Sequence, residues 1–531
     1  MTSGRVVSGS ECRERLTRTG QAERMDALSA LVLLAAALFP LVALCVAASR
    51  PAYRFLRQLL HMNRIPGPSP TYPFFGNALM LKRGGGEFFQ QLIEMLPEFR
   101  KEPLVRLWLG PIPVLLLYHP DTVEMILSSS KQIDKAFMYK FLHPWLGTGL
   151  LTSTGEKWRS RRKMITPTFH FSILVDFLEV MNEQAEILVQ KLQLLAGPEP
   201  FNCFNPITLC ALDIICETAM GRKVYAQSDS ESQYVQAVYK LSDFIHRRQK
   251  MPWFWSDFLY STLGEGKDHD RCLKVLHTFT EEVIIEHAQS QKHERDTGAN
   301  AQRRKRLAFL DMLLAAKDSE DRPLSHSDIR EEVDTFMFEG HDTTAAATNW
   351  ALYLIGSHPH VQRQLHQELD QVFGQSSRHM TMEDLKKLRY LECVIKEALR
   401  IFPSVPMFAR TLSQDCTIRG FTIPKGVNAV IITYSLHRDP DSFPEPEEFR
   451  PERFLPENSV GRHPYAYVPF SAGLRNCIGQ RFALMEEKVL LSSVLRAFRI
   501  EAMEEREMLR PVGELILRPE NGINVRLHPR V

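Results

Sequence analysis

One cysteine constrains this chain more than any other residue. Near the C-terminus the sequence reads Phe470-Ser-Ala-Gly473-Leu-Arg475-Asn-Cys477-Ile-Gly479, followed at once by helix-like spacing from Gln480 to Phe498. Gly473 and Gly479 can take backbone angles closed to other residues, which lets the loop approach a flat cofactor closely. The start of a helix offers unpaired N–H groups and the positive end of a dipole, both of which favour a thiolate over a thiol. Arg475 adds a fixed cation suited to a carboxylate. A free cysteine is more often a small apolar core residue, which is the reading for Cys45, Cys210, Cys216 and Cys393. A nucleophilic cysteine is the third reading, but the loop lacks hydrolase signatures and the sequence assigns it no His and Asn or Asp partners.

Most of the remaining chain carries helical spacing, so the expected fold class is mainly α with a small β portion. Strand signals lie at Val105 to Tyr118, a hairpin broken at Gly110-Pro111, at Cys416 to Ile432 with Gly420 and Lys425-Gly426, and at Leu515 to Leu527 around Asn521-Gly522. A long helix is expected from Ser325 to Gly356, roughly 45 Å at 1.5 Å per residue. Ser325 and Asp328 cap its start, and Gly356 and Pro359 mark its end. Its middle reads Phe338-Glu339-Gly340-His341-Asp342-Thr343-Thr344, where a glycine and two β-branched hydroxyl residues weaken the helical ladder. Taken alone, those polar residues are ordinary helix polarity. A second helix, Thr381 to Ile401, sets Leu388, Leu391, Ile395, Ala398 and Phe402 toward a core and stops at Pro403. On it Glu397 and Arg400 share a face, by themselves a surface ion pair worth about 0.3–0.5 kcal/mol.

With 531 residues, 44% hydrophobic and 24% charged, the chain can bury a large core, and no Gly/Ser-rich or Pro-rich linker interrupts its middle. A net charge of +2 gives no field that would attract nucleic acid. Nine cysteines without a CxxC or finger spacing indicate neither a disulfide framework nor structural zinc. Ala27 to Ala48 has no charged side chain and as a helix is roughly 33 Å long, enough to span a bilayer. Arg50, Arg54, Arg57 and Arg64 follow it, which puts the bulk of the chain in the cytosol and the N-terminus in the lumen. A cleaved signal peptide is the alternative, but the run is long for one and no cleavage site stands out. The expected organisation is an extension at 1–26, an anchor at 27–48, a basic linker and proline-rich hinge at 49–70, and a catalytic domain at 71–531. Met25 sits just before the run, making Met1 to Arg24 a dispensable extension. The polar stretch Gln289 to Arg306, ending in Arg303-Arg304-Lys305-Arg306, reads as a solvated loop, since no aromatics interleave with its charges.

The pattern FxxGxRxCxG at 470–479 resembles the haem-ligand signature of the cytochrome P450 family and matches every fixed position. The resemblance covers roughly Pro66 to Leu527. It implies the cytochrome P450 fold, with haem b held between a long distal helix and a proximal cysteine loop. Cys477 is then the axial thiolate of the iron, a ligation that favours O–O cleavage over reversible oxygen carriage. Phe470, Arg475 and Gly479 belong to the same haem-binding signature. Asp342 and Thr343 match the acid and alcohol that relay protons toward the activated oxygen. Trp158 and Arg162 match a WxxxR element that holds a haem propionate, and Arg410 is a further propionate candidate. Glu397 and Arg400, with Arg453 of Pro451-Glu452-Arg453-Phe454, match a buried charge network behind the haem, structural rather than catalytic. Arg159, Arg161 and Lys163 lie where the family docks an acidic redox partner.

In detail the sequence looks like the fourth family of these enzymes, the fatty-acid omega-hydroxylases, and closest to its V subfamily. Glu339 is the informative residue, because in this branch that carboxylate can be esterified to a haem methyl, narrowing access to the iron. Such narrowing favours a terminal methyl over weaker internal C–H bonds. The implied activity is NADPH-dependent omega-hydroxylation of medium- to long-chain and polyunsaturated fatty acids, in the endoplasmic reticulum membrane. No GxGxxG opens a βαβ unit, and Gly147-Thr148-Gly149 lacks the third glycine, so electrons are expected from NADPH–cytochrome P450 reductase, with cytochrome b5 as a second partner. Leu474 departs from the proline common in this branch. The alternatives are a reductase-independent haem-thiolate isomerase or synthase, a monooxygenase acting on another lipophilic substrate, and a non-catalytic haem sensor or scaffold.

Overall fold

The computed structural model describes residues 39, 43, 47, 49–228, 232–297, 309–317 and 322–530. By its internal contacts the chain divides between His61 and Met62. In the first unit residues 49–61 are helical, and most of the Ala27–Ala48 run, with Cys45, lies outside the described residues. Among the described residues no single helix is long and apolar enough to cross a membrane.

The second unit is mainly helical. The helices that matter for the site are α1 (Gly85–Met95), α2 (Gly155–Ile165), α3 (Phe204–Met220), α4 (Gln233–Lys250), α5 (His326–Ser357), α6 (Arg389–Ile401) and α7 (Gln480–Ala497). Its strands include β1 (Val105–Leu109), β2 (Ile112–Leu117), β3 (Phe408–Thr411), β4 (Asn428–Ile431), β5 (Phe498–Ala502), β6 (Pro511–Gly513), β7 (Leu517–Pro519) and β8 (Asn524–Pro529). The largest sheet has the order β1-β2-β4-β3, with β2 and β4 parallel and the other pairs antiparallel.

Helix α5 is buried nearly all round, as a helix through the middle of a large core must be. It packs along α3 and also against α6 and α7. Its start is the expected capping box: the Ser325 hydroxyl accepts from the Asp328 amide at 3.1 Å, and the Asp328 carboxylate accepts from the Ser325 amide at 3.3 Å. The helix runs unbroken through Glu339 to Thr344. Instead of opening the ladder, Thr343 and Thr344 donate back to the carbonyls of Glu339 (2.7 Å) and Gly340 (2.8 Å). Gly340 serves close helix packing, because a Cβ there would lie 2.5 Å from Ile215 Cδ1 of α3.

One local expectation is corrected. The Thr381–Ile401 helix is two, Met382–Lys387 and α6, separated at Leu388, whose ψ of 72° leaves the helical region. All five apolar positions named for it are nevertheless buried. The Cys416–Ile432 segment makes a short hairpin, Cys416–Ile418 with Phe421–Ile423, while β4 departs to lie beside β2. Leu515–Leu527 holds two strands: β7 pairs with β6, and β8 pairs with β5 and with Phe201–Asn202. Gly522 turns the corner between them at φ +78°, where a Cβ would collide with the Asn202 amide.

The proline-rich segment is fastened to β1 rather than free to swing. The Arg106 amide donates to Pro66 O at 2.8 Å and its Nε to Ile65 O at 2.9 Å. The Asn77 amide donates to Pro68 O and Pro70 O. Residues 289–297, read from sequence as loop, extend the helix Gly266–Thr297, and Arg303–Arg306 lie outside the described residues.

Candidate active site

A cavity of about 360 Å³ lies among α5, the 470–479 loop, α1 and the β1–β2 hairpin. Its wall is largely apolar, with Leu92, Leu107, Met138, Phe338 and Phe482 among the lining residues. Cys477, Glu339, Thr343, Trp158, Arg162, Arg410, Phe470, Arg475 and Gly479 all lie on it. Residues far apart in the sequence, from Trp158 to Gly479, are thus gathered on one surface.

The loop is shaped by its own backbone. The Cys477 amide donates to Phe470 O at 2.8 Å, and Asn476 donates to Gly473 O at 3.2 Å. Gly473 has φ +69° and lies so close to Leu127 that a Cβ would sit 1.9 Å from its carbonyl oxygen, so only glycine fits. Gly479 departs from expectation: its φ of −88° is open to any residue. What it provides is a bare wall, since a Cβ there would have only Phe169 Cε1, at 3.9 Å, within contact distance. Leu474 is exposed and leaves the loop's internal bonds intact.

The accessible surface of Cys477 lies on the cavity, and protein surrounds the sulfur otherwise. Burial, with Glu339 adding to it, pushes its thiol up to about 11. The Gly479 amide at the start of α7 and the Arg162 guanidinium pull the other way, but less than burial pushes. A cation at the sulfur is what would make it a thiolate.

The cations are the best evidence for what the cavity holds. Arg162 grips the loop, donating to Asn476 O (2.7 Å) and Oδ1 (2.8 Å). Arg475 donates to the carbonyls of Ile133, Leu150 and Leu151 and stacks over Trp158 at 4.7 Å. Burial, then neighbouring Arg410, pulls it down to about 9. Arg410 is only 2% exposed, and its guanidinium donates to the carbonyl of adjacent Ala409. Lys135, which sequence reasoning missed, lines the same wall and is held well below the usual lysine range by burial and by Arg410 and Arg475. Facing these four stands Glu339, whose carboxyl burial raises against the pull of Lys135 and Arg475. Buried cations in excess of acids fit a ligand that carries carboxylates. With a sulfur ligand and apolar walls beside them, the donor set suits a haem and its two propionates.

Asp342 is not on this wall. It is 1% exposed and paired with Arg518, which donates to it from Nε (3.3 Å) and from a second nitrogen, and lies over the Tyr239 ring. Of the expected relay pair only Thr343 reaches the cavity. Beside it the Thr344 hydroxyl also contacts Glu486 Oε1 at 2.9 Å.

The Glu397–Arg400 pair is far from the surface pair its spacing alone suggested. Both side chains are fully buried, joined by two bonds of 2.7 and 2.8 Å, and Arg400 also donates to the carbonyls of His437, Pro446 and Glu448. Arg453 Nε lies 3.4 Å from Glu397. On α2, Arg159 and Lys163 are exposed, but Arg161 is buried against Asp328 and Glu332 and cannot serve as a docking cation. The amides after Gly147 bond to α5 carboxylates, Thr148 N to Glu331 at 2.5 Å and Leu150 N to Glu332 at 2.9 Å, so that loop cradles no phosphate. Cys210, Cys216 and Cys393 are buried, as core cysteines are.

Comparison with known proteins agrees with this geometry. The family model described as Cytochrome P450 matches residues 66–527. The rat (Rattus norvegicus) protein named cytochrome P450 4V2 is 62% identical over 481 residues, covering 90% of this chain and 92% of its own. The human (Homo sapiens) protein of the same name is 61% identical with the same coverage. The Drosophila melanogaster cytochrome P450 4c3 is 50% identical over 487 residues, 89% of this chain and 91% of its own.

Proposed function

The chain belongs to the cytochrome P450 family, in its fourth family with likeness to the V subfamily, and from that premise we propose that this haem-thiolate monooxygenase hydroxylates fatty acids at the terminal, omega, carbon. Its cofactor is haem b, with electrons supplied through a reductase. When bound, haem supplies the activation of dioxygen and the insertion of one oxygen atom into a C–H bond. The sulfur of Cys477 would bind the iron, and Arg162, Arg410, Arg475 and Lys135 with the Trp158 indole would hold the propionates. Thr343 carries the hydroxyl that hands protons into the cavity. Asp342 stands behind it, and its part in proton delivery requires exchange of its Arg518 partner for water.

The observation that carries the omega reading is Glu339, a carboxylate on α5 that faces a largely apolar cavity across from the four cations. It lies one helical turn before Thr343 and so on the same face. An ester from Glu339 to the cofactor would narrow the approach and admit a chain end before an internal methylene. Residues 27–48 anchor the enzyme in the endoplasmic reticulum membrane with the catalytic part in the cytosol. NADPH–cytochrome P450 reductase docks over Arg159 and Lys163, and cytochrome b5 is a second partner for that face.

The test is product analysis from a long-chain fatty acid with and without reductase and NADPH. The omega-hydroxy acid should form only when both are supplied. Equal product without reductase would indicate an isomerase or synthase instead, and predominantly internal hydroxylation would remove the terminal assignment.

A further inference from the structure

Two polar side chains on the cavity wall have no place in the chemistry described so far. Lys250 and His246 lie four residues apart on α4, hence on one face, and both line the cavity. Each is about nineteen-twentieths buried, at 6% and 5% exposure. Both meet the ring of Phe88 on α1: His246 edge-on at 5.5 Å, and the Lys250 ammonium 4.4 Å from the ring centre. An ammonium has three donors, and Lys250 places one on Arg83 O at 3.0 Å. His246 Nδ1 is buried without a hydrogen-bond partner. Among the described residues no carboxylate stands within ion-pair distance of Lys250. The acids that act on it, Asp243 and Glu514, have other partners, Asp243 at 2.6 Å from Arg247 and Glu514 at 3.6 Å from Arg518.

The wall they share is largely hydrocarbon, including Leu81, Leu92, Leu107 and Leu109, with Gln91, Gln249 and Glu514 as polar members. A buried cation in such surroundings is costly unless a ligand brings the opposite charge. Burial pulls Lys250 down to about 7, which an arriving carboxylate would reverse, and burial raises Glu514 to about 7, which weakens it as a standing counter-ion. Lys250 belongs to a different element of the wall from Cys477.

We propose that Lys250, assisted by His246, binds the carboxylate of the fatty-acid substrate. The inference rests on the fatty-acid reading above and adds to it the group that holds the acid end. With that end fixed on α4, the alkyl chain follows the apolar wall and its methyl end is the part presented to the cofactor. Terminal selectivity would then be set from two sides, by Glu339 at the reacting end and Lys250 at the other.

Equilibrium binding of a fatty acid and of the 1-alkanol of equal length to the haem-loaded full chain tests this. Lys250→Met should weaken binding of the acid roughly tenfold or more while leaving the alkanol unchanged. Lys250→Arg should retain most of the acid affinity, and His246→Phe should lose severalfold. The ratio of terminal to penultimate product should fall in Lys250→Met. Wild-type affinity for the acid in Lys250→Met, or equal loss of acid and alkanol, overturns the proposal while leaving the omega reading intact. A wild-type enzyme that neither binds nor oxidises fatty acids overturns both.

Discussion

At Cys477 the folded chain holds a thiol whose proton must leave when a metal binds, so ligation and deprotonation are one event. Cys477→Ala should therefore lose the red-shifted absorption band of the reduced carbon monoxide complex, and a variant that kept it would remove Cys477 as the ligand. Glu339→Gln should release all its haem on acid extraction where the wild type retains a covalent fraction, and equal release from both would mean that no ester forms. The residue scale is also where sequence reading was strongest and most uneven. The loop residues were legible because glycines, cation and cysteine are adjacent in the chain. Asp342 lies off the cavity wall for a geometrical reason: consecutive helical residues point about 100° apart, so Thr343 shares its face with Glu339 and not with Asp342. Lys135 carried no signal, since nothing in its local sequence shows that it will meet Arg410 and Arg475.

Among the elements, α6 carries the charges with the largest stability consequence. Replacing Glu397 by Gln leaves Arg400 buried without its counter-charge, and the expected loss is about 3–5 kcal/mol, read as a lowered thermal midpoint and poorer haem retention. A loss below about 1 kcal/mol would put the pair in the class of exposed ion pairs. Elsewhere on α6, burial alone would raise Glu392, but bonds from Lys396 (2.7 Å) and Lys488 (2.9 Å) outweigh it and hold the carboxyl down at about 2. Because its folded pKa is depressed below the ordinary value of 4.5, its contribution is fully present above about pH 4.5 and lost as pH falls toward 2. The stability gap between wild type and Glu392→Gln should close across that window, and a pH-independent gap would contradict the assignment. Helix α5 was readable end to end because its cap, apolar burden and stop signals are all local. Strands form in both segments read at 416–432 and 515–527, but the distant partners that β4 and β8 take leave no local mark in the sequence.

For the whole molecule, the division at His61 makes a direct prediction. A chain beginning at Met62 should keep haem binding and the shifted absorption band, yet float with phospholipid vesicles far less than the full chain, since the Ala27–Ala48 run is removed. Equal flotation would move the membrane contact into the second unit. The proline segment, read from sequence as a hinge, belongs with this second unit through its bonds to Arg106 and Asn77, so cutting after Pro70 rather than before Met62 should destabilise β1. One further consequence follows from the four cations that face Glu339. Their mutual repulsion weighs against the folded chain until carboxylates arrive, so cofactor capture and folding are thermodynamically linked. By mass action, a ligand at a hundred times its dissociation constant adds about 2.7 kcal/mol to the folded state. Haem supply thus sets how much of this enzyme remains folded, and under haem starvation its level should fall even while synthesis continues.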